Sequence, residues 1–466
     1  MLKSLKEIKI SGKEVLPLIE GGKGISVTKG LSSGAWAAAG GVGTVSCVNP
    51  DFYDADGNIV PHLYKGKTRV ARHEELIDFA VKGSLTQIRE AYERASGEGR
   101  IHINILWEMG GAQRVLHEVL EKTRGLVHGV TCGAGMPYKL GEIAAKYGVH
   151  YYPIVSSGRA FNALWRRAYK KFAEWLGGVV YEDPWKAGGH NGLSNSEHPL
   201  QPEDPYPRVV ALRKQMNAVG LQHVPIIMAG GVWHIRDFEY WLDNEEIGLI
   251  SFQFGTRPLL TKESPISEAW KKRLMTLEPG DVRLHNHSPT GFYSSAIHNP
   301  FLQELDERVE RQVLFSEEAN DVRDVAFSLG ARKRDVFLTD ADRSLVEGWI
   351  DNGFTENMVT PDHSLIFVTP DKKAEIHKDQ ADCMGCLSQC KFSNWSDKEG
   401  NSTGRKADPR SFCIQKTLMD VSHSDDIENN LVFSGHGAYR FAQDPFYSNG
   451  FVPTVKELVD RIMTGD

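Results

Sequence analysis

From Val15 to Phe254, short β-branched apolar runs alternate with longer segments whose apolar positions recur at helical spacing. The apolar runs predict strands over 15–19, 43–47, 101–106, 126–131, 149–155, 178–181, 224–228 and 248–254. Between them the pattern predicts helices over 30–39, 73–95, 112–122, 137–147, 159–175, 204–219 and 235–244, and another near 264–275. In the second helix, Leu76, Ile77, Val81, Leu85 and Ile88 form one apolar face. Strands that alternate with helices build right-handed βαβ units around a parallel sheet. Eight of them is the number that closes a barrel. An open doubly wound sheet is the alternative, but it would place a glycine fingerprint after its first strand alone. Here glycine loops follow strands 1, 6, 7 and 8.

The pattern breaks near residue 330. A strand is predicted over 364–368, a polar loop over 396–408, an apolar run over 431–434 and a terminal helix over 454–463. The expected fold is therefore an α/β (β/α)8 TIM barrel over residues 1–330. A smaller mixed region over 331–466 carries a cysteine cluster at 383–413 and the terminal helix.

Composition narrows the function classes. The 466 residues carry 54 Lys+Arg against 61 Asp+Glu, a net charge of -7, which argues against a nucleic-acid or anionic-membrane protein. No apolar run reaches the ~18 residues of a membrane helix. The charged start, MLKSLKEIKISGKEV, does not read as a secretory signal. Four of only six cysteines crowd into 383–413, unlike a secreted disulfide scaffold. The expected location is cytoplasmic.

The glycine loops point to a ligand. The first strand runs into Glu20-Gly21-Gly22-Lys23-Gly24, the seventh into Ala229-Gly230-Gly231 and the eighth into Gly255-Thr256-Arg257. Glycine admits close backbone approach, and backbone amides at a helix start attract anions. Barrels commonly hold phosphate after strands 7 and 8. Asn104 and Gln253, at strand ends, offer carboxamides suited to the edge of a heterocycle. His190, in Ala187-Gly188-Gly189-His190-Asn191-Gly192, is placed to face a ligand and to move a proton. His285, His287 and His298 lie in a polar stretch and are weaker metal candidates, because no carboxylate is nearby in sequence.

The segments LPLIEGGKG, GGVGTVS, HINILW, VTCGAGMP, KAGGHNG, VPIIMAGGV and FQFGTR, with the tail VFSGHGAYRF and TVKELVDRI, occur in the order and spacing of the nitronate monooxygenase (2-nitropropane dioxygenase-like) family. The chain resembles that family over most of residues 15–300 and its last 35 residues. The resemblance implies a barrel that binds FMN non-covalently. It places Gly21, Gly22 and Lys23 along the flavin, Asn104 at its ring system, Gly188 and Gly189 against the cofactor, and Gly230, Gly231, Gly255 and Thr256 at the phosphate. His190 matches the family's catalytic histidine. Lys23 and Lys186 stand where the family usually has Met and Glu. The same family includes enoyl-thioester and quinone reductases that use NAD(P)H.

Cys383-x2-Cys386-x3-Cys390, with Cys413 following 23 positions later, is no family feature. Three close cysteines and a distant fourth suit an iron–sulfur cluster better than the paired spacing usual for zinc. The segment also resembles the C-x-G-C-x3-C run of iron–sulfur flavoenzymes of the old yellow enzyme class. Cys47 and Cys132 read as core residues. The leading expectation is an FMN-dependent oxidoreductase of the nitronate monooxygenase type, with His190 as acid/base. In this reading a [4Fe–4S] cluster, with zinc as the alternative, relays electrons. An NAD(P)H-dependent enoyl-thioester or quinone reductase is the second reading. A non-catalytic flavin-binding protein with a structural metal is the third. Expected partners are a small-molecule substrate, a second copy of the chain and an electron-donor protein.

Overall fold

The structure is a computed structural model that describes residues 5–194, 196–329 and 334–466. Eight parallel strands close into a barrel: β1 (Leu18–Glu20), β2 (Val42–Ser46), β3 (Arg100–Leu106), β4 (Gly129–Gly133), β5 (His150–Val155), β6 (Val179–Glu182), β7 (Ile226–Ala229) and β8 (Ile250–Phe254). β8 returns to β1, with Phe252 opposite Leu18 and Phe254 opposite Glu20. Each expected strand is present in the expected order, and closure sets aside the open sheet. β1 is shorter than the apolar run because Pro17 has no N–H to donate to a ladder. Val15 instead belongs to a hairpin, Ile8–Ile10 with Lys13–Val15. That hairpin plugs the bottom of the barrel. Ser11 Oγ lies 2.7 Å from the Tyr152 hydroxyl and 2.9 Å from His102 Nε2.

Helices α1 (Gly30–Ala38), α2 (Arg69–Ala95), α3 (Ala112–Lys122), α4 (Leu140–Tyr147), α5 (Gly158–Arg167) and α6 (Pro205–Asn217) surround the strands. α2 starts where Thr68 accepts from Ala71 N and ends at Ser96, whose φ is +49°. Its face of Leu76, Ile77, Ala80, Val81, Ile88 and Ala91 is buried. α1 lies so close to β2 that a Cβ at Gly43 would sit 1.8 Å from the Ser33 carbonyl oxygen.

Two expected α-helices take another form. The segment 159–175 breaks after Arg167 and continues as a 3₁₀ helix, Tyr169–Trp175. The segment 235–244 is a 3₁₀ turn, Ile235–Trp241. Its buried residues, Ile235, Phe238 and Trp241, recur every third position, which suits three residues per turn.

The boundary expected at residue 330 lies outside the described residues. A small antiparallel sheet joins Gln312–Leu314, Ser364–Val368 and Glu356–Val359. With the helix Asp340–Asp351 and a hairpin of Val325–Leu329 and Arg334–Leu338, it encloses a separate core of Val313, Phe327, Val336, Leu338, Val346, Leu365 and Phe367. The chain then returns to the barrel. The helix Val455–Met463, opened by a capping box of Thr454 and Glu457, packs against α1. The run over 431–434 forms one bridge, Ala296 to Phe433, and no full strand. No helix among the described residues is long and apolar enough to cross a membrane.

Candidate active site

The C-terminal ends of the barrel strands open into one cavity. Gly21, Gly22, Lys23, Asn104, Gly188, Gly189, His190, Gly230, Gly231, Gln253, Gly255 and Thr256 all line it. The twelve residues singled out in the barrel sequence are thus brought to one place.

The rim at β7 and β8 is bare backbone. Gly230 and Gly231 have φ of +85° and +76°, which glycine adopts without strain. A Cβ at Gly255 would meet no protein atom within 4 Å, so that position faces open space. Among the described residues, the amides of Gly230, Gly231, Gly255 and Thr256 donate to no protein acceptor. Gly230 and Thr256 are half-buried and Gly231 and Gly255 exposed, so all four amides are open to an external acceptor.

Opposite lie two carboxamides. Asn104 is buried and packs beneath Gly22, where a Cβ would sit 2.3 Å from the Asn104 Cβ. Gln253 lies against Gly21. Neither side chain hydrogen-bonds a described protein group, and both line the cavity.

Asp183 shapes the loop that carries the histidine, its Oδ1 accepting from Trp185 N at 2.9 Å and Lys186 N at 3.0 Å. His190 then pairs with Ser294 as a short strand. Its Nε2 is 2.6 Å from Ser288 Oγ, and its ring stands edge-on to Phe433 with centroids 5.5 Å apart. Burial pulls its pKa down to about 4, so the imidazole is neutral at pH 7 and able to accept a proton. Glu182, at the end of β6, is shifted the other way. Burial, with the Asp183 charge adding to it, pushes it up to about 8, so it carries its proton at pH 7.

Lys23 does not present a free cation to the cavity. Its Nζ donates to the Gly21 carbonyl at 2.8 Å and lies 3.6 Å from Glu20 Oε1. Burial draws Lys23 down and Glu20 up, against their mutual attraction.

Several lining residues were not anticipated: Glu182, Thr290, Cys386, Gln415, Phe433 and Gly435. The last two come from the tail, which is pressed onto the histidine loop. Gly435 N donates to Thr256 Oγ1 at 3.0 Å, and a Cβ at Gly188 would sit 2.6 Å from the Ser434 carbonyl carbon. The VFSGHG motif signalled this segment without revealing its place. The histidine stretch also differs from expectation. A carboxylate is in fact present: Asp306, on the helix Pro300–Glu310, lies 2.7 Å from His287 Nε2 and 3.3 Å from His298 Nε2.

The nitronate monooxygenase family profile matches residues 10–464, nearly the whole chain. The chain belongs to the nitronate monooxygenase family. Members of this family are FMN-dependent oxidoreductases, which sets aside the non-catalytic reading. Two solved structures share the fold. FabK from Thermotoga maritima is 14% identical, with a TM-score of 0.51, 96% of this chain and 92% of that chain being covered. The enoyl reductase domain of MlnA from Bacillus amyloliquefaciens is 11% identical, with a TM-score of 0.52 and coverage of 97% and 93%. No curated protein matches.

The cavity of this nitronate monooxygenase family member fits FMN on its own evidence. Four amides without a protein acceptor suit a phosphate, and two open carboxamides suit a heterocycle. Metal is another matter. Among the described residues, no three His, Cys, Asp or Glu side chains stand close enough to hold one metal ion. That speaks against zinc at Cys383, Cys386, Cys390 and Cys413 and against an ion at His285 and His287. The family match does not bring an iron–sulfur cluster with it.

Proposed function

We propose that the phosphate of FMN rests on the amides of Gly230, Gly231, Gly255 and Thr256. Gly21, Gly22 and Lys23, the carboxamides of Asn104 and Gln253, and Gly188 and Gly189 would hold its ring. Bound FMN supplies two-electron redox chemistry, and the chain supplies orientation and protons. His190 takes a proton from the substrate as it is oxidised, or returns one as a product is reduced. Its neutral state at pH 7 suits the first role, and Ser288 holds its Nε2. The observation that carries this reading is the set of four unengaged amides on the same cavity as His190.

A second reading, an NAD(P)H-dependent reductase of an enoyl thioester or a quinone, draws on the far wall. Leu418, Val421, Leu431, Val432 and Phe433 make that wall apolar, which suits a substrate with an apolar chain. A relay through the cysteine loop is the finer part of either reading. A one-electron donor protein loses one electron per transfer, and two transfers with protons balance a two-electron reduction in the cavity.

The test is direct. Purified full-length protein is assayed with a nitronate under air, and with an enoyl thioester or a quinone plus NAD(P)H without air. Nitronate turnover supports the first reading; NAD(P)H oxidation with either acceptor supports the second. Protein that retains no FMN at all overturns both.

A further inference from the structure

The cysteine loop is built onto the mouth of the barrel. Arg72 of α2 donates from Nε to the Cys383 carbonyl at 3.1 Å, and His73 Nδ1 is 2.9 Å from the Gly385 carbonyl. Gly110 N, after β3, donates to the Cys386 carbonyl at 2.9 Å, and Ser388 N donates to the Glu108 carbonyl at 2.7 Å. The chain beyond folds back on the loop: Cys390 pairs with Trp395, and Trp395 Nε1 donates to the Leu387 carbonyl at 3.0 Å. Asp408 N donates to the Lys391 carbonyl, which closes the excursion and returns Cys413 to the other three.

The four sulfurs form one group. None is in a disulfide. Every pair is near enough for the charge of one to act on the other: Cys386 feels Cys413, Cys390 and Cys383; Cys413 feels Cys390 and Cys383; Cys390 feels Cys383. Side chains of Phe392, Trp395, Phe412, Ile414 and Leu418 are buried around them. A metal core would hold these side chains as thiolates, because a coordinating thiol is deprotonated outright.

The size of the group decides the core. Zinc holds each thiolate sulfur ~2.3 Å from a single point. No three of these side chains are close enough together for one ion. Four neighbouring thiols that do not converge on one point suit a core of several iron and sulfide atoms. We propose that Cys383, Cys386, Cys390 and Cys413 hold a [4Fe–4S] cluster, with Cys386 on the cavity wall between cluster and flavin site. Cys386 lines the cavity, as do Ile414 and Gln415 just beyond Cys413. Ser393 Oγ donates to Cys383 Sγ at 3.0 Å, a contact that tunes a cluster's potential. The site stands on the cysteines alone. Only the passage of electrons into the cavity rests on the FMN reading.

The experiment uses full-length protein purified without air, with iron, acid-labile sulfide, zinc and released FMN measured on one sample. The expected result is about four iron and four sulfide per chain, from the formula of the cluster. Dithionite, giving one electron per cluster, should produce an electron paramagnetic resonance signal. Cys386→Ser and Cys413→Ser should each lose most of the iron and that signal. Cys132→Ser, in the barrel wall, should keep both. Retained FMN in the depleted variants shows that the barrel is folded. Zinc without iron, no metal at all, or undiminished iron in both variants overturns the proposal. Iron without FMN in the wild-type protein overturns the flavin reading and leaves the cluster standing.

Discussion

Gly230, Gly231, Gly255 and Thr256 offer the cavity their backbone, whereas Cys386, Leu387, Ile414 and Leu418, also on its lining, offer side chains. The cysteine side spends its own backbone groups on the barrel, through Gly110 and Glu108, and on its own returning chain, through Trp395. The glycine rim leaves its amides unengaged. The rim is therefore shaped for a small anion gripped by hydrogen bonds, and the cysteine side for soft, apolar contact. A binding surface made of backbone tolerates almost no added side chain. One made of side chains depends on which atoms those are.

The sharpest break in this comparison is Gly255→Leu. The φ at Gly255 is not in the left-handed region, and its Cβ position faces open space, so the fold should survive while the phosphate space fills. Loss of two charge-assisted hydrogen bonds at ~1.5–3 kcal/mol each predicts FMN binding weaker by about 10²–10⁴. Ultrafiltration followed by flavin fluorescence measures it, and unchanged retention removes the phosphate assignment.

His190→Ala comes next. FMN should remain bound while turnover falls by about 10²–10⁴. In the wild-type protein, loss of activity on acidification should follow a group near pH 4, below the ordinary histidine range, because protonation removes the base. A profile breaking near 6.5, or an unaffected variant, would assign the proton elsewhere.

A smaller effect joins the two regions. Asp51 lies 2.6 Å from Lys29 and 3.0 Å from His423, linking the start of α1 to the tail. Burial pushes its carboxyl up, but the hydrogen bond from His423 and the Lys29 charge outweigh this and hold it at about 2. The stabilisation is thus complete above the ordinary carboxylate range and lost as pH falls through about 2. Asp51→Asn leaves Lys29 buried without its counter-charge and should destabilise by about 3 kcal/mol at neutral pH. Urea unfolding at pH 7 checks this; an unchanged midpoint would mean that the pair contributes nothing. The mildest change is Thr256→Val, which removes the acceptor for Gly435 N. It should cost about 1 kcal/mol, read as about one degree in the melting temperature.

Much of the barrel half was legible because its signals are local. An apolar run, a glycine turn and an amphipathic helix each declare themselves within about a dozen residues, and parallel connection follows from their order. Strand ends point to one rim, so Gly21, Asn104, His190, Gly230 and Gly255 could be gathered before any coordinates. Departures arose where neighbours overrode the pattern. Pro17 shortened β1, and burial at every third residue tightened Ile235–Trp241 into a 3₁₀ turn.

The remainder depended on contacts between residues far apart in the chain. Nothing near Phe433 or Gly435 indicates that they close over His190, because the partners of residues 433–436, namely Ala296, Ser295, Thr256 and Lys186, lie more than a hundred positions away. Lys23 reads in sequence as a cation facing the ligand, and only packing turned it onto Glu20. Spacing alone grouped three cysteines, while the fold brought Cys413 back to them and set Cys386 on the cavity. Local chemistry thus determined which residue types stood at the strand ends. Burial and chain return, which act across the whole molecule, decided which charges were paired, which amides stayed open and what faced them.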